Sequence, residues 1–324
     1  MYHLRTLAEI SRLIYNYSAC IIDQKVSELY PFLSTHQHTF ILQASENNKS
    51  RALKATIEDW LFSHKLKRNA HILIIGGGIT TDLGGFVCAN YMRGISWSAI
   101  PSTLLGMVDA TIGGKVAINT PFGKNTLGTF HPANEVFICC ELLASLTHQE
   151  KKSGMVEMIK HLLVDCPGKL SSLNHDTLLS QDSILESIQI KERFVKQDPY
   201  DKGPRNLLNI GHTVAHAIEL QSDFKISHGE AVAWGLVIEG YILKSAGKIN
   251  PQDYINLKII LLRLFTTPPA HLSFDQLQPY LALDKKNQSD IVISCPGSDN
   301  FLYTPSLIEW TNAFKSLCQS YIPQ

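Results

Sequence analysis

Part-way along this chain the hydrophobic rhythm changes, and that change limits the folds open to it more than any single motif. Up to about residue 147, short apolar runs alternate with helical stretches. Ser18 to Ile22, Thr39 to Gln43, His71 to Ile75, Ser96 to Ile100 and Glu135 to Ile138 read as strands. Lys49 to Phe62 reads as a helix, and another begins near Asp82. Such alternation predicts a parallel sheet covered by helices. From residue 148 onward the apolar residues recur with a period of 3.6, over Gly154 to Leu163, Asp182 to Asp198, Arg205 to Leu220, Gly229 to Ser245 and Pro251 to Leu264. The expectation is an α/β domain over 1–147 followed by a mainly α-helical domain over 148–324, and 324 residues suffice for two cores. Thr266 to Ala270 and Cys295 to Asp299 read as loops.

Charge narrows the partners. Lys+Arg and Asp+Glu balance at 29 each, so no global field recruits nucleic acid or an anionic membrane, and an anionic substrate must be met by local cations. The 7 cysteines form no CxxC pair and read as reduced thiols. The chain start lacks a basic region followed by an apolar stretch, and no run of about 18 apolar residues occurs. A cytoplasmic protein is expected.

HILIIGGGITTDLGGF reads as a strand, three glycines (Gly76, Gly77, Gly78), a polar turn and a helix that Asp82 opens. Glycines there let backbone N–H groups approach a pyrophosphate, and the helix N-terminus adds positive partial charge. Taken alone, the triplet is a weak signal that a plain tight turn also explains, and its order departs from the common GxGxxG fingerprint. PSTLLGMVDATIGGKVAIN brings the Ser102 and Thr103 hydroxyls to the same strand-end edge, then supplies Asp109 and Lys115, which suit a polyol phosphate. PFGKN adds Lys124 and Asn125 in a loop, where a lysine by itself is usually solvated.

NIGHTVAHAIE sets His212 and His216 at i and i+4, SHGEAVAWG sets His228 at the next helix start, and GMVEMIKH sets Glu157 and Lys160 one turn apart. Imidazoles and a carboxylate on apolar helices need either a cation or a full set of hydrogen bonds. Structural histidines are one reading. So many in so short a stretch favour a metal, and an N/N/O set with open positions suits Zn2+ as a Lewis acid. Residue 213 is Thr, so the metalloprotease HExxH base is missing. Arg205, Asn209, His212 and His216 are expected along one face of one helix, with Lys191 on the helix before. Guanidinium and ammonium groups near a metal point to a substrate bearing carboxylate and phosphate. DKK (Asp284, Lys285, Lys286) ahead of IVIS offers another cation, in a setting that usually solvates it.

In order and spacing, GGGITTDLGGF, YMRG, PSTLLGMVDATIGGKVAIN, PFGKN, GMVEMIK, RNLLNIGHTVAHAIE, HGEAVAWG and DKK resemble the motifs of the 3-dehydroquinate synthase family, among the sugar phosphate cyclases, over residues 18 to 294. The resemblance implies a Rossmann-like N-terminal domain, a helical C-terminal domain and a homodimer. It implies Glu157, His212 and His228 as ligands of Zn2+ or Co2+, with His216 a substrate contact instead. Asp109 and Lys115 would hold ring hydroxyls, and Asn125, Lys160, Asn209 and His216 the phosphate. Lys191, Arg205 and Lys286 would meet the carboxylate end, and Arg93 would reach the partner subunit's phosphate site. For NAD it implies Asp23, Glu46, Lys49, Gly77, Gly78, Asp82, Ser102, Thr103, Lys124 and Ser145. The implied reaction converts 3-deoxy-D-arabino-heptulosonate 7-phosphate to 3-dehydroquinate and phosphate, in the shikimate route to aromatic amino acids. Thr80, Thr81 and Ser45 depart from the family pattern, where glycine-containing turns are common.

Competing expectations are a valiolone- or inosose-type cyclase, a metal-dependent glycerol-type dehydrogenase and a non-catalytic NAD-binding module. Arg205, Lys191 and Asn209 favour a carboxylate-bearing substrate over the first. Net hydride transfer would mark the second, and the third predicts decay of the ligand set.

Overall fold

The run His71–Gly76 forms a strand with every residue after His71 buried, as the centre of a sheet covered on both faces requires. The computed structural model describes residues 1–269, 272–281, 290–297 and 301–319, so the DKK lysines Lys285 and Lys286 lie outside the described residues. The chain divides into two compact units, Met1–Lys151 and Lys152–Gln324.

In the first unit the strands are β1 (Tyr2–Leu4), β2 (Ala19–Asp23), β3 (Thr39–Leu42), β4 (His71–Gly76), β5 (Ser96–Pro101), β6 (Lys115–Thr120), β7 (Gly123–Phe130) and β8 (Val136–Ile138). Six of them form one sheet in the order β1-β8-β5-β4-β2-β3, every neighbouring pair parallel. The five expected runs are all present. From β2 the chain passes outward to β3, whereas from β4 it passes the opposite way to β5. The carboxyl ends of β2 and β4, Asp23 and Gly76, therefore flank the switch point where such sheets bind ligands.

Helices α1 (Leu7–Leu13), α2 (Gln24–Leu29), α3 (Arg51–Ser63) and α4 (Gly78–Asn90) belong to this unit. The α4 glycines serve packing, since a Cβ on Gly84 would sit 2.7 Å from Ile74 Cδ1 and one on Gly85 2.6 Å from Val116 Cγ1. Helix α4 begins at Gly78, so Asp82 lies in its second turn rather than at its opening. Gly76 ends the strand, Gly77 is the N-cap in extended conformation, and the turn shrinks to that one residue.

Strands β6 and β7 pair antiparallel as a separate hairpin. Lys124 and Asn125 thus stand at the start of β7, where the sequence suggested a loop. Gly113–Gly114 and Pro121–Gly123 bracket the strands closely enough to mask their alternation. Strand β1 and helix α1 were likewise not expected, though Thr6 and Glu9 form a complete capping box that marks the helix start.

The second unit is helical: α5 (His148–Asp165), which starts just before the boundary, then α6 (His175–Leu178), α7 (Gln181–Gln197), α8 (His212–Gln221), α9 (His228–Ser245), α10 (Pro251–Leu264), α11 (Phe274–Leu281) and α12 (Leu307–Gln319). The short strands β9 (Ile293–Ser294) and β10 (Leu302–Tyr303) form an antiparallel ribbon. Helix α9 is buried nearly all round, which suits an apolar helix at the centre of a bundle.

The expected helix from Arg205 to Leu220 is broken in two. A 3-10 turn covers Pro204–Asn209, Gly211 adopts φ +83°, and α8 starts at His212. Only His212 and His216 share a regular helix, so the single face expected for Arg205, Asn209, His212 and His216 does not exist. Pro204 presets the first turn, and Gly211 supplies a left-handed residue that breaks the α-helical run. The described cysteines Cys20, Cys88, Cys139, Cys140, Cys166 and Cys295 are free. Among the described residues no helix is long and apolar enough to cross a membrane.

Candidate functional site

Glu157 is fully buried on α5. His212 opens α8 and His228 opens α9, with Nε2 atoms 3.8 and 3.5 Å from Glu157 Oε1. One ligand atom from each of the three lies within 4.8 Å of the others. The close approach is set by Gly229, whose Cβ, if present, would lie 2.2 Å from Ser153 Cα on α5. Two imidazoles and a carboxylate converging on one point fit a divalent cation of the zinc kind, with at least one position left open.

The surroundings orient both rings. His212 Nδ1 lies 3.3 Å from Ile210 O, so donation there leaves Nε2 for a metal. His228 Nδ1 lies 3.6 Å from Oε1 of Glu219, a buried residue of α8. A carboxylate behind a ligating histidine fixes its tautomer and raises its basicity. Burial holds His212 well below its usual pKa, helped by the charge of Lys160. Burial also pushes His228 down, but Glu157 and Glu219 more than reverse it, raising His228 to about 10. A cation binds only an unprotonated ring nitrogen, so His212 matches the state a ligand needs and His228 would have to release a proton to serve as one.

Lys160, buried one turn from Glu157, pairs with it. Lys191 is buried on α7, which packs against the 3-10 turn Pro204–Asn209. Arg205, 3% exposed, is held at its backbone N–H by Asp198 Oδ2 at 3.3 Å and donates from Nη1 to Pro199 O at 2.9 Å. Asn209 ends that turn half-buried, and His216 is exposed with its ring edge-on to His212 at 5.6 Å. His216 is not part of the cluster of close ligand atoms, in which His212 is joined by His228 and Glu157 instead.

In the first unit the expected cofactor residues gather at the carboxyl edge of the sheet. Asp23 Oδ1 caps α2 through Lys25 N–H at 2.8 Å, and its Oδ2 accepts from Thr80 Oγ1 at 3.3 Å across the switch point. Thr81 Oγ1 donates to Gly78 O at 3.1 Å, so both threonines that depart from the family pattern have partners inside the fold. The Ser102 N–H donates to Gly76 O at 2.9 Å. Thr103 Oγ1 accepts from Gly106 N–H at 3.0 Å, and a Cβ on Gly77 would lie 3.1 Å from Thr103 Cγ2. Asp109 stands in the turn Gly106–Ala110, and exposed Lys115 opens β6. Ser145 Oγ donates to Leu142 O at 2.8 Å.

A second cluster joins Glu46, Lys49, Asp82, Lys124 and Asn125. Buried Lys49 Nζ lies 2.5 Å from both Asp82 Oδ2 and Asn125 Oδ1, and Lys124 Nζ lies 3.3 Å from Glu46 Oε1. Asn119, not singled out from sequence, ties them together by donating to Glu46 Oε2 at 2.8 Å and accepting from Asn125 N–H at 3.0 Å. Its period-2 place in KVAINT was the available signal. Arg93 is exposed, and Met92, Arg93 and Gly94 in succession have φ of +51°, +68° and +106°. Left-handed non-glycine residues cost on the order of 1 kcal/mol each and occur where the surroundings enforce them.

A parallel sheet with a glycine turn at its switch point, in one chain with two histidines converging on a buried carboxylate, defines a class: α/β proteins combining a dinucleotide-type sheet with a candidate divalent-metal centre. Residues 39–153 match the 3-dehydroquinate synthase N-terminal family and residues 154–287 the 3-dehydroquinate synthase C-terminal family. The chain belongs to the 3-dehydroquinate synthase family. It is 35% identical over 269 residues to the bifunctional 3-dehydroquinate synthase/phosphatase of Fusobacterium nucleatum, covering 79% of this chain and 40% of that protein. It is also 35% identical over 289 residues to the pentafunctional AROM polypeptide of Pneumocystis carinii, covering 78% of this chain and 18% of that one. The chain thus spans less than half the length of these relatives. Its fold matches 2-epi-5-epi-valiolone synthase from Streptomyces hygroscopicus, solved with NAD+ and Zn2+, at TM-score 0.86 and 23% identity, covering 99% and 97% of the two chains.

Proposed function

We propose that this chain is a 3-dehydroquinate synthase, a phosphate-eliminating carbon–oxygen lyase that converts 3-deoxy-D-arabino-heptulosonate 7-phosphate to 3-dehydroquinate and phosphate. The observation that carries the reading is the convergence of Glu157, His212 and His228 in a chain whose two halves match the two domain families in order. The first unit is then the NAD-binding domain and the second the metal- and substrate-binding domain. When bound, NAD+ accepts and returns a hydride at one ring carbon, and Zn2+ or Co2+ polarises the oxygen there.

The chain's own residues do the rest. Glu157, His212 and His228 hold the metal. Asp23, Gly77, Gly78, Ser102 and Thr103 hold the dinucleotide at the sheet edge, with Glu46, Lys49, Asp82, Lys124 and Ser145 around it. Asp109 and Lys115 take ring hydroxyls. Lys160, Asn125, Asn209 and His216 receive the phosphate, whose own oxygens take the proton during elimination. Lys191 and Arg205, with a lysine of DKK, neutralise the carboxylate.

Metal-loaded protein given the heptulosonate phosphate and catalytic NAD+ should release phosphate and 3-dehydroquinate one to one, with no lasting absorbance from NADH. Accumulating NADH without phosphate would instead mark a glycerol-type dehydrogenase. Equal turnover of the analogous sugar phosphate lacking the carboxylate would mark a valiolone-type cyclase.

A homodimer is part of the same reading, with Arg93 serving the partner's phosphate site. It is supported by the exposed apolar side chains of the hairpin region, Phe122 at 91%, Leu127 at 37% and Phe130 at 38%. Sedimentation should give twice the chain mass, and Phe122→Asp should shift it toward the monomer. A wild-type protein sedimenting as a monomer at micromolar concentration would remove this part of the reading.

A further inference from the structure

Helix α8 begins without a side-chain cap of its own. Its N-cap is Gly211 in the left-handed region, with no side-chain cap hydrogen bond. The first N–H groups of a helix need acceptors, and buried ones are costly to leave unmet. The acceptor comes from another helix: fully buried Glu239, in the middle of α9, takes Gly211 N–H on Oε2 at 2.7 Å and Val214 N–H on Oε1 at 3.0 Å. A carboxylate at this end of a helix also meets the favourable pole of its dipole.

The contact is tight enough to fix position. A Cβ on Gly235, one turn before Glu239, would lie 1.9 Å from Gly211 O, and one on Gly211 2.8 Å from Leu236 Cγ. The two N–H groups that Glu239 takes flank His212, and α9 itself begins with His228. One helix therefore carries one metal-binding imidazole and the clamp that seats the other.

We propose that Glu239 is a positioning residue of the metal centre: by clamping the backbone on both sides of His212 it sets the His212–His228 separation that the cation needs. The proposal rests on the metal reading given above. Its effect is expected in the range of outer-shell residues at metal sites, roughly 10- to 100-fold in affinity.

The test uses the full chain with Zn2+ and Co2+ as probes. Glu239→Gln keeps the shape but turns an N–H donor toward one of the two N–H groups. It should bind Zn2+ about 10-fold or more weakly in a chelator competition, and its Co2+ visible bands should shift or lose intensity. Ile218→Val, a buried packing change elsewhere on α8, should lower the melting temperature while leaving both readouts at wild type. If Glu239→Gln does not fold, Glu239→Asp, with the charge kept and the reach shortened, is read the same way and should show the smaller loss in the same direction. A folded Glu239 variant with wild-type Zn2+ affinity and an unchanged Co2+ spectrum would leave the carboxylate a mere structural cap and overturn the proposal. Failure of the wild-type chain to bind either ion would instead overturn the metal reading itself.

Discussion

His228→Ala protein should come through dialysis with no stoichiometric zinc and turn over at background, while its far-UV circular dichroism stays close to wild type. Three donors converge here, and removal of one leaves Glu157 and His212, too few to hold a labile cation against water. A structural zinc site is worth roughly 10–16 kcal/mol over its ligands, so one imidazole accounts for about 4 kcal/mol, or nearly a thousandfold in affinity. The fold should tolerate the change. His228 leads α9 with a side chain 32% exposed, and Ser227, which caps that helix through Glu230 N–H at 3.4 Å, is untouched. Metal content by mass spectrometry and turnover on the heptulosonate phosphate are the two measurements. A variant that kept one equivalent of zinc and normal turnover would remove His228 from the ligand set. Loss of zinc together with loss of helical signal would mean that the cation holds up the fold as well as the chemistry.

The sheet could be read from the chain because a strand buried on both faces must be a continuous apolar run, and HILII and its neighbours admit few other structures. The convergent triad, a candidate metal site, was visible for a different reason. Glu157, His212 and His228 are polar groups placed where the helical period puts apolar ones, a conflict that only a partner resolves. The break at Gly211 was hidden because period alone cannot distinguish one helix from a 3-10 turn and a second helix in nearly the same phase. Only Pro204 and Gly211 carried the information, and a glycine inside a helical pattern is ambiguous. Glu219, Glu239 and Asp198 were passed over because each acts on a ring or backbone outside its own helix, Asp198 on the loop just after α7 and Glu239 on a helix far back in the sequence. The 28 positions separating Glu239 from Gly211 leave no local signature. The hairpin of β6 and β7 escaped because β7 is largely exposed, and an exposed strand lacks the alternation by which strands are found.

The second large effect concerns Arg205, whose replacement by alanine should reduce kcat/KM for the carboxylate-bearing substrate by more than a hundredfold. A buried guanidinium at 3% exposure is costly unless anchored and, in use, paired with an anion. The anchor is the loop after α7. Asp198 accepts N–H groups from Lys202 at 3.0 Å, Gly203 at 2.6 Å and Arg205 at 3.3 Å, while Pro199 O takes Nη1. Burial pushes the Asp198 carboxyl up, but these N–H groups outweigh it and hold its pKa below the usual value. Its stabilisation is therefore present at neutral pH and lost only as pH falls through the carboxylate's own range. The loop is thus intact under assay conditions, and the guanidinium is presented rather than searching. Truncating one partner of a desolvated charge pair costs about 2–5 kcal/mol, and 3 kcal/mol is more than a hundredfold. Arg205→Lys should recover little of this, because an ammonium on a flexible stem cannot reproduce the two-pronged geometry. The discriminating measurement compares two substrates. On the sugar phosphate that lacks the carboxylate, Arg205→Ala should be nearly neutral relative to wild type. Equal losses on both substrates would show that Arg205 supports the loop or the metal centre instead of reading the acid. The distinction between an acid-using synthase and its carboxylate-free relatives would then have to rest on Lys191 and the DKK lysines.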